Sequence, residues 1–220
     1  MTSEPNPDEP AEETARRGLF ITLEGGDGVG KSTQATLLHD WLLKRGYQVV
    51  RTREPGGTPV GVEIREIVLH HHGDVSPRAE ALLYAADRAH HIATLVRPAL
   101  ARGEIVIQDR YLDSSVAYQG AGRVLDPDQI RGLSLWAAEG LLPDLTILLD
   151  LDETVARHRL VGARTRYDRL EAEATEFHAR VRHAFLELAA SEPGRFLVVD
   201  AADEPDQIAA RIRERVETYL

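Results

Sequence analysis

The sequence predicts an α/β fold of three layers, a five-stranded parallel sheet with helices on both faces. Short β-branched runs, nearly continuously apolar in the middle, recur along the chain, as strands covered on both faces require. Longer helical stretches separate them, and that alternation gives parallel strands joined by crossovers. A glycine-rich loop joins the first apolar run to the first helical stretch. Ligands of such sheets bind at the carboxyl ends of the strands, so the residues just after each strand carry the functional reading.

In chain order, "LFITLE" (19–24) is the first strand and 31–45 the first helix, closed by Gly46. "YQVVRTRE" (47–54) is the second strand, and Pro55-Gly56-Gly57 turns the chain at its end. Helical stretches follow at 60–72 and 77–102; Pro98 should kink or end the latter near its last turn, and Gly103 closes it. "EIVIQDR" (104–110) is the third strand, 126–140 a helix and "LTILLDL" (145–151) the fourth strand. Helices are expected at 153–161 and 169–191, the second opened by Asp168 and Glu171 in the spacing of a capping box. "FLVVDA" (196–201) is the fifth strand, and 205–219 the closing helix.

The 220 residues suffice for one domain with a substantial core and are short for two. The opening stretch to residue 17 holds five acids, two arginines and three prolines, and reads as a disordered acidic tail with no targeting role. Residues 18–220 read as the single domain. No run approaches a membrane span. There is no cysteine, which excludes disulfides and thiolate metal sites and fits a reducing, cytoplasmic setting. The net charge of −10 argues against non-specific nucleic-acid binding, so any phosphate ligand must be held by local geometry.

Such geometry is present. Gly25-x-x-x-x-Gly30-Lys31-Ser32 matches the P-loop, between an apolar strand and a helix as that motif requires. Its glycines let backbone N–H groups turn toward phosphate oxygens, and the helix adds its positive end. Lys31 supplies a point charge, and the Ser32 hydroxyl is a candidate Mg²⁺ ligand. The chain has only one other lysine, Lys44. The sole asparagine, Asn6, lies in the tail, so the asparagine-containing guanine reader of GTPases is missing. Two features of the loop are odd: it carries an acid, Asp27, and no arginine.

Other strand ends add chemistry. Arg51 and Arg53 share a face of strand two. Asp109 after "IVIQ" is placed as a metal-holding acid; Asp150 after "TILL" competes, and the arginine directly following Asp109 favours the former. Tyr84 and Arg88 lie one helical turn apart, an aromatic plane beside a guanidinium that suits a nucleobase. "SSVAYQG" (114–120) offers hydroxyls, a phenol and an amide just past strand three. By contrast, His70, His71 and His72 cannot all face one ion from a helix and read as a solvated helix end. His90, His91, Trp41 and Trp136 read as packing or surface residues.

With "EGGDGVGKST", "TREPGGT", "LLYAADRAHH", "DRYLDSSVAYQG" and "PDLTILLD" together, residues 19 to 219 resemble the thymidylate kinases, P-loop nucleotide kinases of bacterial type with a basic lid. The resemblance implies ATP and dTMP as substrates, Mg²⁺ as cofactor and a homodimer. ATP would sit on Gly25, Gly26, Asp27, Gly28, Val29, Gly30, Lys31, Ser32 and Thr33. Tyr84 would stack on thymine, where a phenylalanine often stands, with Arg88, Gln119 and Ser115 at the base. Arg53 and Arg110 would hold the dTMP phosphate, with Glu54 and Asp109 near the metal. Tyr118 would crowd the sugar C2′, and Asp27 would face the 3′-hydroxyl. The arginine lacking from the loop would come from a lid at about 157–169, within "ARHRLVGARTRYDRLE" (156–171). There Gly162 should break the helix and leave Arg164 and Arg166 on a flexible segment, with Arg157 and Arg159 next in line.

Overall fold

A computed structural model describes residues 18–71, 73–163, 168–171 and 173–220, with the backbone alone for 161–163. Its sheet is five-stranded, in the order β2-β3-β1-β4-β5, and every pairing is parallel. The strands are β1 Leu19–Glu24, β2 Val49–Arg53, β3 Ile105–Asp109, β4 Leu145–Asp150 and β5 Phe196–Asp200. The helices are α1 Lys31–Lys44, α2 Pro59–His70, α3 Pro77–His91, α4 Arg97–Ala101, α5 Leu112–Ser115, α6 Pro127–Ala137, α7 Glu153–Ala163, α8 Thr175–Ser191 and α9 Pro205–Glu217.

Strand alternation explains the layers. Leu19, Ile21 and Leu23 of β1 point to one face, where Ala35, Leu38 and Leu42 of α1 and Ile208, Ile212 and Val216 of α9 cover them. Phe20 points to the other, against Ile92, Val96, Ala99 and Tyr111. Every residue of β1 is buried. The edge strands β2 and β5 depart from the two-faced cover expected of them: Arg51, Arg53, Val198 and Asp200 are exposed. Leu23 aligns with Asp109 and Ile147, and Arg53 with Asp109, so the loops after β1, β2 and β3 leave the sheet at one edge.

Several boundaries differ from expectation for local reasons. The stretch 77–102 contains a wide π turn, Ile92–Val96, just before Pro98. The wider turn accommodates the proline's missing N–H and its ring, so the helix runs on to Ala101. Asp168 and Glu171 do form the reciprocal bonds of a capping box, Glu171 N and Asp168 N donating across at 2.8 and 3.0 Å. The box nevertheless closes a single turn, and α8 begins only at Thr175. Leu170 is drawn into an apolar cluster with Phe177 and Val181, while Arg169 turns to Val68 and Glu80, off the path of a helix. α7 runs through Gly162, the expected break, to Ala163.

Leu112–Gly122 is helical, α5 passing into a second π turn, despite its serines and glycines. Tertiary packing supports it: Tyr118 meets Phe177 and Phe185 edge-on at 6.0 and 6.2 Å. Phe185→Ala should therefore cost about 3–5 kcal/mol in denaturant unfolding. It should also raise the KM of whichever ligand Tyr118 contacts.

Candidate active site

The phosphate loop follows directly from β1. Gly25, Gly28 and Gly30 have φ of 130°, 79° and 99°, the left-handed region that side chains resist. A Cβ on Gly25 would lie 2.4 Å from the Leu149 carbonyl oxygen, and one on Gly28 2.5 Å from that of Ala156. The loop is thus pressed against β4 and α7. Lys31 opens α1 and is almost fully buried, its Nζ donating to the Gly25 and Gly26 carbonyls at 3.2 and 2.6 Å. Burial, and then Arg110, push this ammonium's pKa down, against Asp109, Asp27 and Glu24.

A cleft of about 610 Å³ opens over the loop and is lined by Gly28–Gln34, Arg53, Asp109, Arg110 and Arg159. At its floor, Asp109 Oδ1 is buried and accepts no hydrogen bond among the described residues. An orphaned carboxylate oxygen lining the same cleft as the Ser32 hydroxyl fits a hard divalent cation such as Mg²⁺. Asp150, the competing acid, is bound by Arg182 at 2.7 and 3.1 Å.

A second cleft, of about 70 Å³, adjoins the first. Tyr84, Arg88, Ser115, Tyr118 and Gln119 all line it, and Asp27, Glu54, Arg65, Arg110 and Asp168 line both clefts. Arg110 is the joint between them. Its φ of 66° is unusual for a residue with a side chain and marks a site that the surroundings over-determine. Nη1 donates to the Gly25 carbonyl at 3.0 Å and Ser114 Oγ at 3.1 Å. Nη2 donates to Asp27 Oδ1 at 2.5 Å and the Tyr118 hydroxyl at 3.1 Å, and that hydroxyl in turn donates to Asp27 Oδ2 at 3.1 Å. Burial opposes ionisation of Asp27, yet Arg110 and Lys31 overcome it and hold the carboxyl well below the usual range. The acid in the loop is therefore paired toward the smaller cleft.

Arg88, buried at 1% exposure, donates to Glu54 Oε2 at 2.9 Å, Ser134 Oγ at 3.0 Å and Ser115 Oγ at 3.1 Å. The other Glu54 oxygen contacts His91 Nδ1 at 3.0 Å, and His91 Nε2 meets Thr52 Oγ1 at 2.7 Å. Both Glu54 oxygens are thus engaged in bracing Arg88 and His91. Asp87, one turn before His91 on the same helix, is pushed up to about 6 by burial and by Glu54.

Sequence reasoning missed several members. Glu24 accepts from Tyr111 N at 2.7 Å and Ser114 Oγ at 2.6 Å, and so holds the turn that carries Arg110. Burial, with Asp113 adding to it, pushes its carboxyl up to about 7. An acid ending an otherwise apolar, doubly covered strand was the available signal. Arg65, which donates to the Pro55 carbonyl at 3.1 Å, gave none, since arginines on a helix usually face solvent. Of the basic stretch, Arg159 lines the phosphate cleft, Arg157 lines a further cavity that shares Asp27, Val29 and Leu160 with that cleft, and Arg169 pairs with Glu80. Arg164, Arg166 and His72 lie outside the described residues. His70 and His71 are exposed, and no group of three or more His, Cys, Asp or Glu side chains placed to hold a metal ion occurs among the described residues.

The thymidylate kinase family profile matches residues 23–212. The chain is 77% identical to a thymidylate kinase of Leifsonia xyli subsp. xyli over 204 residues, spanning 93% of this chain and 97% of the relative. It is 70% identical to one from Clavibacter michiganensis subsp. michiganensis, over 92% and 96% of the two chains. To one from Bifidobacterium longum subsp. infantis it is 52% identical, over 92% and 88%.

Glu24 gives a pH signature. A carboxyl raised from 4.5 to about 7 favours the folded state while protonated. That contribution is complete below 4.5 and lost as pH rises through about 7, at about 1.4 kcal/mol per pH unit, or roughly 3 kcal/mol in all. Asp87 acts in the same direction; Asp27, held low, acts only in acid. Denaturant unfolding from pH 5 to 8 should show the wild type losing stability more steeply than Glu24→Gln. Parallel profiles would mean that Glu24 does not titrate in this range.

Proposed function

The chain belongs to the thymidylate kinase family, and on that premise we infer that its two clefts hold the two substrates of one phosphoryl transfer. The reaction is the ATP-dependent phosphorylation of dTMP to dTDP. ATP takes the larger cleft over the phosphate loop, and dTMP the smaller one. The observation that carries this reading is the joint at Arg110 and Asp27, the point where a phosphate cradle and a pocket lined by Tyr84, Arg88 and Gln119 meet.

An oxygen of the dTMP phosphate attacks the γ-phosphorus in line, and the bond to the β–γ bridging oxygen breaks, releasing ADP. The attacking oxygen is already anionic, so neither a protein nucleophile nor a strong base is required. Catalysis is positioning plus charge neutralisation. Lys31 and Arg110 both donate to Gly25 O, and phosphate oxygens offer them stronger, anionic acceptors. Arg53 joins them at the larger cleft. Tyr84 packs against the base, Arg88 keeps two N–H donors for its edge beyond the three bonds described, Ser115 flanks it, and Tyr118 and Asp27 meet the sugar.

Asp109 and Ser32 would hold Mg²⁺, which supplies Lewis-acid neutralisation of phosphate charge when bound. Glu54, engaged at both oxygens, serves the site by bracing Arg88. The lid spans about 157–169, and Arg164 and Arg166 supply the transition-state charge that the loop lacks; the position of Arg159 at the phosphate cleft supports this. Homodimerisation is supported by exposed Val62 and Ile67 on α2, Leu82 on α3 and Trp136 on α6, helices that pack side by side. No described helix is long and apolar enough to cross a membrane, and a cytoplasmic site fits the acidic, cysteine-free composition. The same acidity disfavours nucleic-acid partners.

Two kinetic outcomes separate the roles. Asp27→Ala should raise the KM for dTMP roughly 10- to 150-fold, the worth of a charge-assisted hydrogen bond, and leave that for ATP nearly unchanged. Equal losses for both nucleotides would show that Asp27 serves the phosphate loop. Arg164→Ala/Arg166→Ala should lower kcat on the order of 10³–10⁵-fold with little change in the dTMP dissociation constant, because its charge acts during transfer. A normal kcat would move that role to Arg159.

A further inference from the structure

Glu80 lies in the first turn of α3 and is completely buried. A buried carboxylate is tolerated only when its oxygens are satisfied, and here the partners are unusual. Arg123 Nε and Nη2 donate to its two oxygens at 3.3 Å each, and Arg169 Nη2 donates to Oε2. Gln119 Nε2 donates to Oε1 at 2.9 Å. Arg123 is itself held by Glu173 at 2.5 Å and lies over the Phe177 ring. Arg169 also donates to the Val68 carbonyl at 3.0 Å. The carboxylate is thus fixed from three sides.

The consequence lies in the chemistry of an amide. A carboxylate facing two guanidiniums only accepts, so the Gln119 side chain must turn its NH₂ toward Glu80. Turning the amide over would set Oε1 against Glu80 Oε1, two acceptors in contact inside the protein. Gln119 lines the smaller cleft, and with Nε2 bound, Oε1 is the atom it can offer a ligand. Oε1 accepts no hydrogen bond among the described residues, so it is available as a pure acceptor.

We propose that Glu80 fixes the orientation of the Gln119 amide and thereby makes the cleft select pyrimidines that carry a hydrogen on N3. Thymine and uracil present N3–H as a donor; cytosine presents a bare N3 acceptor, which would meet Oε1 acceptor to acceptor. A polar site aligned this way rejects the mismatched base because its own group is left unpaired. Glu80 touches no substrate and is a positioning residue. The proposal rests on the reading of the smaller cleft as the dTMP site.

The test is kcat/KM for dTMP, dUMP and dCMP in wild type, Glu80→Gln, Glu80→Asp and Gln119→Leu. An amide at position 80 can donate as well as accept, so Glu80→Gln lets Gln119 turn over. Its preference for dTMP over dCMP should fall about tenfold or more. The ratio of dTMP to dUMP should stay where it is, since both bases share the imide edge. Glu80→Asp keeps an acceptor-only group and should retain the dCMP discrimination even where turnover drops. A general loss of packing would lower all three substrates together. Should Glu80→Gln fail to fold, Glu80→Gln/Arg123→Gln removes one charge of each sign and provides the same readout. If a folded Gln variant keeps full discrimination while Gln119→Leu loses it, the role of Glu80 is overturned and the base-edge reading stands. If Gln119→Leu also keeps it, Gln119 does not read the base, and both fall.

Discussion

One carbonyl oxygen, that of Gly25, accepts from two cations. Lys31 Nζ reaches it at 3.2 Å and Arg110 Nη1 at 3.0 Å, from opposite ends of the sequence's central segment. Two positive groups in a protein interior repel one another, and the arrangement persists only because acids are placed around it. Asp27 binds Arg110, Asp109 faces Lys31 from the end of β3, and Glu24 anchors the turn beneath. Much else in the molecule follows from this constraint. The loop needs glycines because β4 and α7 press on it, and Arg110 needs a left-handed backbone to face back across β1.

The acid in the phosphate loop therefore has a physical reason to be there. It neutralises part of the positive charge concentrated at the joint and presents that charge toward the smaller cleft. Arg110 sets a guanidinium on the Gly25 carbonyl at the foot of the loop, and the charge that the loop lacks during transfer is assigned, in the proposed reaction, to the lid. Beyond the joint, buried carboxylates in ion pairs extend toward the smaller cleft: Glu54, paired with Arg88, and Glu80, which is paired with Arg123 and Arg169 and also accepts from the Gln119 amide. Such pairs contribute little net stability, but each fixes the direction in which a donor or acceptor points. In the proposed reaction, specificity in this cleft is built from those directions.

Short-range patterns made much of this legible in the sequence. The glycine spacing of the loop, the apolar runs ending in Asp109 and Arg53, and the one-turn separation of Tyr84 and Arg88 are local, and the structure brings those residues to one sheet edge. What sequence reasoning could not see was long-range. Glu80 sits in an ordinary first helical turn, where an acid normally faces solvent and favours the helix dipole. The return of Arg123 and Arg169, 43 and 89 positions later, holds it inward. His91 reads only as a packing or surface residue until Thr52 and Glu54 are seen on either side. The helix over 112–122 was invisible because its serines and glycines disfavour one, and Phe177 and Phe185 come from distant sequence. Asp168 and Glu171 show the reverse case, a local signal that formed as written but did not propagate.

In the proposed reaction the two cations at Gly25 receive the two phosphates. A crystal structure with dTMP and a non-hydrolysable ATP analogue tests it most directly. Lys31 Nζ should lie on the β- and γ-phosphate oxygens and the Arg110 guanidinium on the dTMP phosphate, with Asp27 beside the sugar and neither cation still on the Gly25 carbonyl. Lys31 and Arg110 remaining on that carbonyl while the dTMP phosphate is held by other residues would contradict it.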